Sequence, residues 1–184
     1  MKINAVFGHG IFRFEFIIIF LTLFLSVNDL RNVNSYQSEI KLIIQGYGYI
    51  YFFDYYYNTN PSEIIINNIS INSNSRRYYF ESDLNNVTIK FDKQIESCEK
   101  MFSELSNIIE IDLSNFDTSK VTNMNSMFNY CSNLKKINFG NINTSSVKNM
   151  KNLFHHCEKL SSIDLSKFDI SSVTTINSIL RYCT

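Results

Sequence analysis

The sequence predicts an α/β solenoid, a right-handed coil of short parallel strands and short helices with a β-rich cap at its N-terminal end. Three observations point there. The stretch "IDLSNFDTSKVTNMNSMFNYC", Ile111 to Cys131, returns 26 residues later as "INFGNINTSSVKNMKNLFHHC" and once more as "IDLSKFDISSVTTINSILRYC". Within each copy the apolar residues first alternate and then recur at helical spacing. Ahead of the copies, short runs rich in Ile and Tyr stand between polar turns.

The strand comes from the first columns of the aligned copies. Ile111, Ile137 and Ile163 are each followed two residues on by Leu113, Phe139 and Leu165. A two-residue period puts both side chains on one face and leaves Asp112, Asn138 and Asp164 on the other. Phe116, Ile142 and Phe168 follow, and Ile108, Leu134 and Leu160 precede. The resulting L-x-x-I-x-L-x-x-F pattern is that of the strand portion of a leucine-rich repeat.

The helix comes from the second half of each copy. Val121, Met124, Met127, Phe128 and Cys131 are spaced as one helical stripe, repeated by Val147, Met150, Leu153, Phe154 and Cys157 and by Val173, Ile176, Ile179, Leu180 and Cys183. The triplets "DTS", "NTS" and "DIS" ahead of the stripes offer side-chain oxygens to the first unpaired N–H groups of a helix. Upstream, "VTIKF" followed by Ile95, Cys98, Met101, Phe102 and Leu105 reads as an atypical first unit. The predicted boundaries are 86–110, 111–136, 137–162 and an incomplete 163–184, about 3.5 units in all.

Residues 28–85 lack the 26-residue period and read as the cap. Its tyrosines, Tyr47, Tyr49, Tyr51, Tyr55, Tyr56 and Tyr57, fit a packed sheet face, with an exposed binding surface as the alternative. Residues 1–27 read as a signal peptide. The apolar run from Phe16 to Val27 follows Lys2 and Arg13 and precedes polar residues. Twelve helical residues reach about 18 Å, short of a hydrocarbon core of about 30 Å. An uncleaved signal anchor, the sole membrane attachment the sequence suggests, and a buried helix are the alternatives.

The phrase "LSNFDTSKVTNM…MF…C…L" in residues 111–134 and its copies resembles the BspA-type leucine-rich-repeat surface proteins, a group that includes the mycoplasma lipoprotein repeat domain and many protist surface proteins. The resemblance spans about Asn86 to the end. It implies a secreted or surface-displayed module for attachment or recognition, with no catalytic residues and no single ligand. In the last copy, Ile176, Ile179 and Leu180 replace the Met, Met and Phe of the first, a volume-conserving change.

Composition narrows the function classes. Seventeen basic and seventeen acidic residues are scattered evenly enough to leave no stripe for nucleic acid. No cofactor motif is present. Cys131, Cys157 and Cys183 share a column, and neighbouring helices would hold them about 8–10 Å apart, beyond disulfide reach, so they read as buried free thiols. The run His155, His156, Cys157 invites a metal site or a Cys–His nucleophile. No further ligands stand at suitable spacing, so the solvated end of a helix is the expected reading. The outward residues Asp112, Ser114, Asn138, Gly140, Asp164 and Ser166 form the expected binding face for a protein or glycan at a cell surface, or alternatively a hydrogen-bonded ladder between strands. Asn68, Asn86 and Asn143 head sequons, with Asn143 ranked last because it stands at a capping position. The function expected is non-catalytic recognition, adhesion or surface coating outside the cell. The alternative is a truncated relative without binding activity, whose uncapped last repeat would favour self-association.

Overall fold

The computed structural model describes residues 4–7, 10–13, 37–51, 53, 60–71, 75 and 77–183. The chain divides into two units, residues 1–35 and 36–184. In the first, β1 (Asn4–Phe7) and β2 (Gly10–Arg13) pair as an antiparallel hairpin. The hydrophobic run over residues 16–27, and with it most of the predicted signal segment, lies outside the described residues. Among those described, no helix is long and apolar enough to cross a membrane.

The second unit is built on a six-stranded mixed sheet. Its strands are β3 (Ser38–Gln45), β5 (Glu63–Ile66), β6 (Ile69–Ile71), β8 (Leu84–Phe91), β9 (Ile108–Asp112) and β10 (Lys136–Asn138), in the order β10-β9-β3-β8-β5-β6. Only β9 and β10 run parallel; the other neighbours are antiparallel. Strand β3 alternates buried and exposed residues along its whole length, so Ile40, Leu42 and Ile44 face the core together with Val87, Ile89 and Phe91 of β8. Against β9 the register slips between Ile43 and Ile44, whose partners are Glu110 and Ile108. The extra residue, Ile109, lets Ile108 and Ile111 both point inward although three positions separate them. A separate two-stranded antiparallel sheet joins β4 (Gly48–Tyr51) to β7 (Arg77–Phe80).

The predicted α/β solenoid is overturned on two counts. No helix forms among the described residues, and the strands assemble as mixed, open sheets. Strand β8, expected to open the first repeat, pairs antiparallel within the same mixed sheet and is separated from β9 by β3. The third expected strand, around Ile163 and Leu165, is absent, and the segment runs as irregular chain.

The backbone hydrogen bonds explain the missing helices. The N–H groups of Met124, Ser126, Phe128 and Tyr130 donate to the carbonyls of Asn149, Lys151, Leu153 and His155, at 2.8–3.0 Å. Cys98 to Glu104 make the same bonds to Asn123–Asn129, and Met150 to His156 to Thr175–Arg181. Alternate donors are thus taken by the next 26-residue unit, where a helix would bond them to its own preceding turn. Of the donors between them, Met127 and Asn129 close three-residue turns to Met124 and Ser126, and Asn125 donates to the Asn123 side-chain oxygen. Left-handed residues recur in register at Lys100, Ser126, Asn152 and Ser178, and again at Glu104, Tyr130, His156 and Tyr182. A chain of such turns keeps apolar residues three apart on one side, which is why the spacing imitates a helix.

The units stack around a shared core. Ser97, Asn123, Asn149 and Thr175 form successive parallel bridges. Phe102, Phe128 and Phe154 stack face to face, with centroids 5.8 and 5.4 Å apart, and Phe53 from the non-repeating segment lies 6.0 Å from Phe102 at the end of the column. Of the predicted core, Ile111, Leu113, Phe116, Val121, Met124, Phe128, Cys131, Leu134, Phe139, Ile142, Val147, Met150, Phe154, Cys157 and Leu160 are buried. Ile137, Ile163, Leu165, Phe168 and Val173 are half-buried and pack against that cluster.

Candidate functional site: a charged groove on the sheet

Strands β8, β3, β9 and β10 present their outward residues in two rows. One runs Thr88, Lys41, Asp112, Asn138; the other runs Asn86, Ile43, Glu110, Lys136. These residues line a groove of about 440 Å³. Its position follows from the sheet order: inserting β3 between the repeat strands and β8 widens one face and gives the groove a wall from each part of the chain. Lys41 leans to Glu39 at 3.1 Å, whereas Lys136 and Glu110 form no ion pair among the described residues. Charges of both signs therefore stand side by side, open to a partner.

Two of the six predicted face residues, Asp112 and Asn138, line this groove. Asp112 Oδ1 accepts from the Ser114 N–H at 2.8 Å and from Asn138 Nδ2 at 3.1 Å. Burial raises the Asp112 pKa, but the Ser114 and Asn138 hydrogen bonds and the charge of Lys41 outweigh it and hold the carboxyl below its ordinary range. Asn138 Oδ1 in turn accepts from the Gly140 N–H, and Asp164 Oδ1 from the Ser166 N–H. Ser114, Gly140 and Ser166 are turn residues outside the groove. Gly140 has φ +55°, and a Cβ there would fall 2.4 Å from Ser114 Cα, so glycine is required by close packing of successive units.

The triplets read as helix caps instead join neighbouring units. Asp117, Asn143 and Asp169 each accept from the N–H two residues on, closing a local turn. Thr118 is buried; its hydroxyl donates to the Asn143 carbonyl at 2.8 Å and accepts from the Asn143 N–H at 2.9 Å. Thr144 repeats the donation to the Asp169 carbonyl. Sequence reasoning missed this role because a cap and an inter-unit clamp use the same residue types.

The cysteines are all free. Cys131, Cys157 and Cys183 donate to the carbonyls of Phe102, Phe128 and Phe154 at 3.0–3.1 Å. Burial pushes the Cys157 thiol up to about 12, and the group points into the core, away from the histidine rings. Those rings are not the solvated end of a helix. His156 lies between Tyr130 and Tyr182, with centroids 4.3 and 4.4 Å away, and its Nδ1 is 3.5 Å from the Glu158 carboxylate. His155 Nδ1 sits 3.0 Å from Asn129 Oδ1. Among the described residues no group of three His, Cys, Asp or Glu side chains is placed to hold a metal.

The sequons differ in setting. Asn68 (φ 69°) is exposed in the turn between β5 and β6. Asn86 is exposed but lines the groove. Asn143 Oδ1 is engaged by the Ser145 N–H and hydroxyl, at 3.1 and 2.7 Å.

The fold and its groove define a β-rich protein of stacked 26-residue units whose first strands are joined by antiparallel strands from the non-repeating segment. The chain belongs to the family described as Mycoplasma protein of unknown function, DUF285, whose model matches residues 76–184. No curated protein and no solved structure matches it.

Proposed function

We propose that the protein is a non-catalytic recognition module, secreted or displayed at a cell surface, whose groove receives a segment of another protein. The observation that carries this reading is the double row of side chains across β8, β3, β9 and β10, with unneutralised charges of both signs. A polypeptide supplies acidic, basic and amide groups together, so it complements such a surface. Ile43, midway along one row, adds an apolar contact among these polar and charged side chains. The resemblance to BspA-type surface proteins and the apolar run at residues 16–27 favour a place outside the cell.

The test has two arms. The full chain, expressed in a secretory host, is expected in the medium or accessible to surface labelling; exclusive recovery from the cytosol counts against the extracellular placement. Peptides selected from a displayed library on the purified protein are expected to bind at least about tenfold more weakly to a Lys41→Glu/Lys136→Glu variant, the change that losing about 1.4 kcal/mol produces. Equal binding by the variant removes the groove from the reading.

A further inference from the structure

Strands β4 and β7 carry a second surface that the groove does not explain. One face of this small sheet, Ile50, Tyr78 and Phe80, is turned toward the core. The other holds Tyr49 and Tyr79 directly opposite each other, and Tyr51 opposite Arg77. Tyr47 joins them from the preceding turn. The four tyrosines are 48–66 % exposed, which corrects the packed sheet face expected for Tyr47, Tyr49 and Tyr51; Tyr55, Tyr56 and Tyr57 lie outside the described residues.

The rings are held in one arrangement. Tyr79 stands edge-on to Tyr47 and to Tyr49, with centroids 5.8 and 5.2 Å away. Its hydroxyl donates to the Tyr47 hydroxyl at 3.0 Å. The Arg77 guanidinium lies 4.8 Å over the Tyr49 ring and has no carboxylate partner among the described residues. Prior ordering of this kind lowers the entropy cost of capturing a ligand.

We infer that this face is a platform for an acidic glycan, one bearing carboxylate or sulfate groups. Aromatic faces pack against the C–H faces of sugar rings, and phenol hydroxyls exchange hydrogen bonds with sugar hydroxyls. The unpaired guanidinium matches a planar carboxylate or a sulfate through paired N–H donors. The dimensions of the described face argue against a protein as the principal occupant. Four-residue strands give a face of roughly 14 Å by 10 Å, well below the ~800 Å² per partner of a stable protein interface. Among the described residues the face also offers no aliphatic side chain as an anchor.

The chain has no Trp, so tyrosine fluorescence of the full-length protein reports binding directly. Titration with a heparin oligosaccharide, a hyaluronan oligosaccharide and uncharged maltohexaose distinguishes sulfate, carboxylate and neutral ligands. Binding of either acidic probe at least tenfold tighter than the neutral one supports the assignment and names the group recognised. Tyr49→Ala and Arg77→Gln are each expected to weaken that binding about tenfold, and Arg77→Gln to abolish the acidic preference, while Lys120→Gln, at an exposed repeat residue outside both surfaces, leaves both unchanged. Tyr47→Ser, which removes one exposed hydroxyl and ring, serves as a second variant should Tyr49→Ala alter the circular dichroism spectrum. No binding of any probe, loss of binding in Lys120→Gln, or a dimer dispersed by Tyr49→Ala without glycan binding overturns the inference.

Discussion

Phe128 and Phe154, 26 residues apart in sequence, lie with ring planes 3° from parallel and centroids 5.4 Å apart. With Phe102 above and Phe53 at the end, they form an offset aromatic column through the interior. Each ring packs on its own equivalent, so the column links the units into one core. Phe128→Ala is expected to cost about 3–5 kcal/mol, since the gap opens between two fixed neighbours. Phe128→Leu, which refills much of the volume, should cost clearly less. Urea unfolding of the purified variants measures both, and equal losses would contradict the column as a packing unit.

Left-handed residues recur where each unit turns, and Asn152 (φ 54°) is the mildest of them because Asn tolerates that region. Asn152→Gly should leave stability unchanged within about 1 kcal/mol, the relief of strain being offset by the greater freedom of the unfolded chain. Asn152→Val should lose about 2 kcal/mol or more, because a β-branched side chain is forced to positive φ. Were this segment helical, the order would reverse, so denaturant midpoints of the pair decide directly between turn ladder and helix.

Thr118 both gives and receives a hydrogen bond at the backbone of Asn143 while fully enclosed. Thr118→Val keeps the shape but removes both hydrogen bonds to the Asn143 backbone, for an expected loss of about 2–3 kcal/mol. Thr118→Ser retains the hydroxyl and should lose only the methyl contribution, about 1 kcal/mol. A valine variant as stable as the serine one would show that the clamp carries no energy.

His155 is held below its ordinary value of 6.5 by burial first, then by the charges of His156 and Arg181. The folded protein therefore binds this proton less readily than the unfolded chain. The stabilisation is complete above about pH 6.5 and is lost as pH falls from there through the lowered folded pKa. Melting temperature should fall between pH 7 and pH 5, and His155→Gln should flatten that slope. An unchanged slope in the variant assigns the acid sensitivity to other groups.

The groove and the repeat differ in how far residues announce them. Asp112 and Asn138 were legible as outward neighbours, because alternation in a strand needs only the local period. Their groove partners Lys41 and Ile43 come from β3, which no periodicity connects to the repeat, and Asn86 and Thr88 from β8, which reads as part of a first unit but pairs with β3 instead. Gly140 and Ser114 read as part of a binding face, yet serve the close approach of successive turns, a relation between distant backbones.

The 26-residue period and the identity of the inward residues follow from the sequence alone, because a side chain repeated at one spacing must meet one environment repeatedly. The helical assignment failed for a definable reason: three-residue turns and helices bury the same residues, and differ only in where alternate N–H groups find their acceptors. That choice is made between units, as when Phe128 donates to Leu153, and so it belongs to tertiary structure. The insertion of β3 beside β9, which creates the groove, is likewise settled only when the sheet assembles.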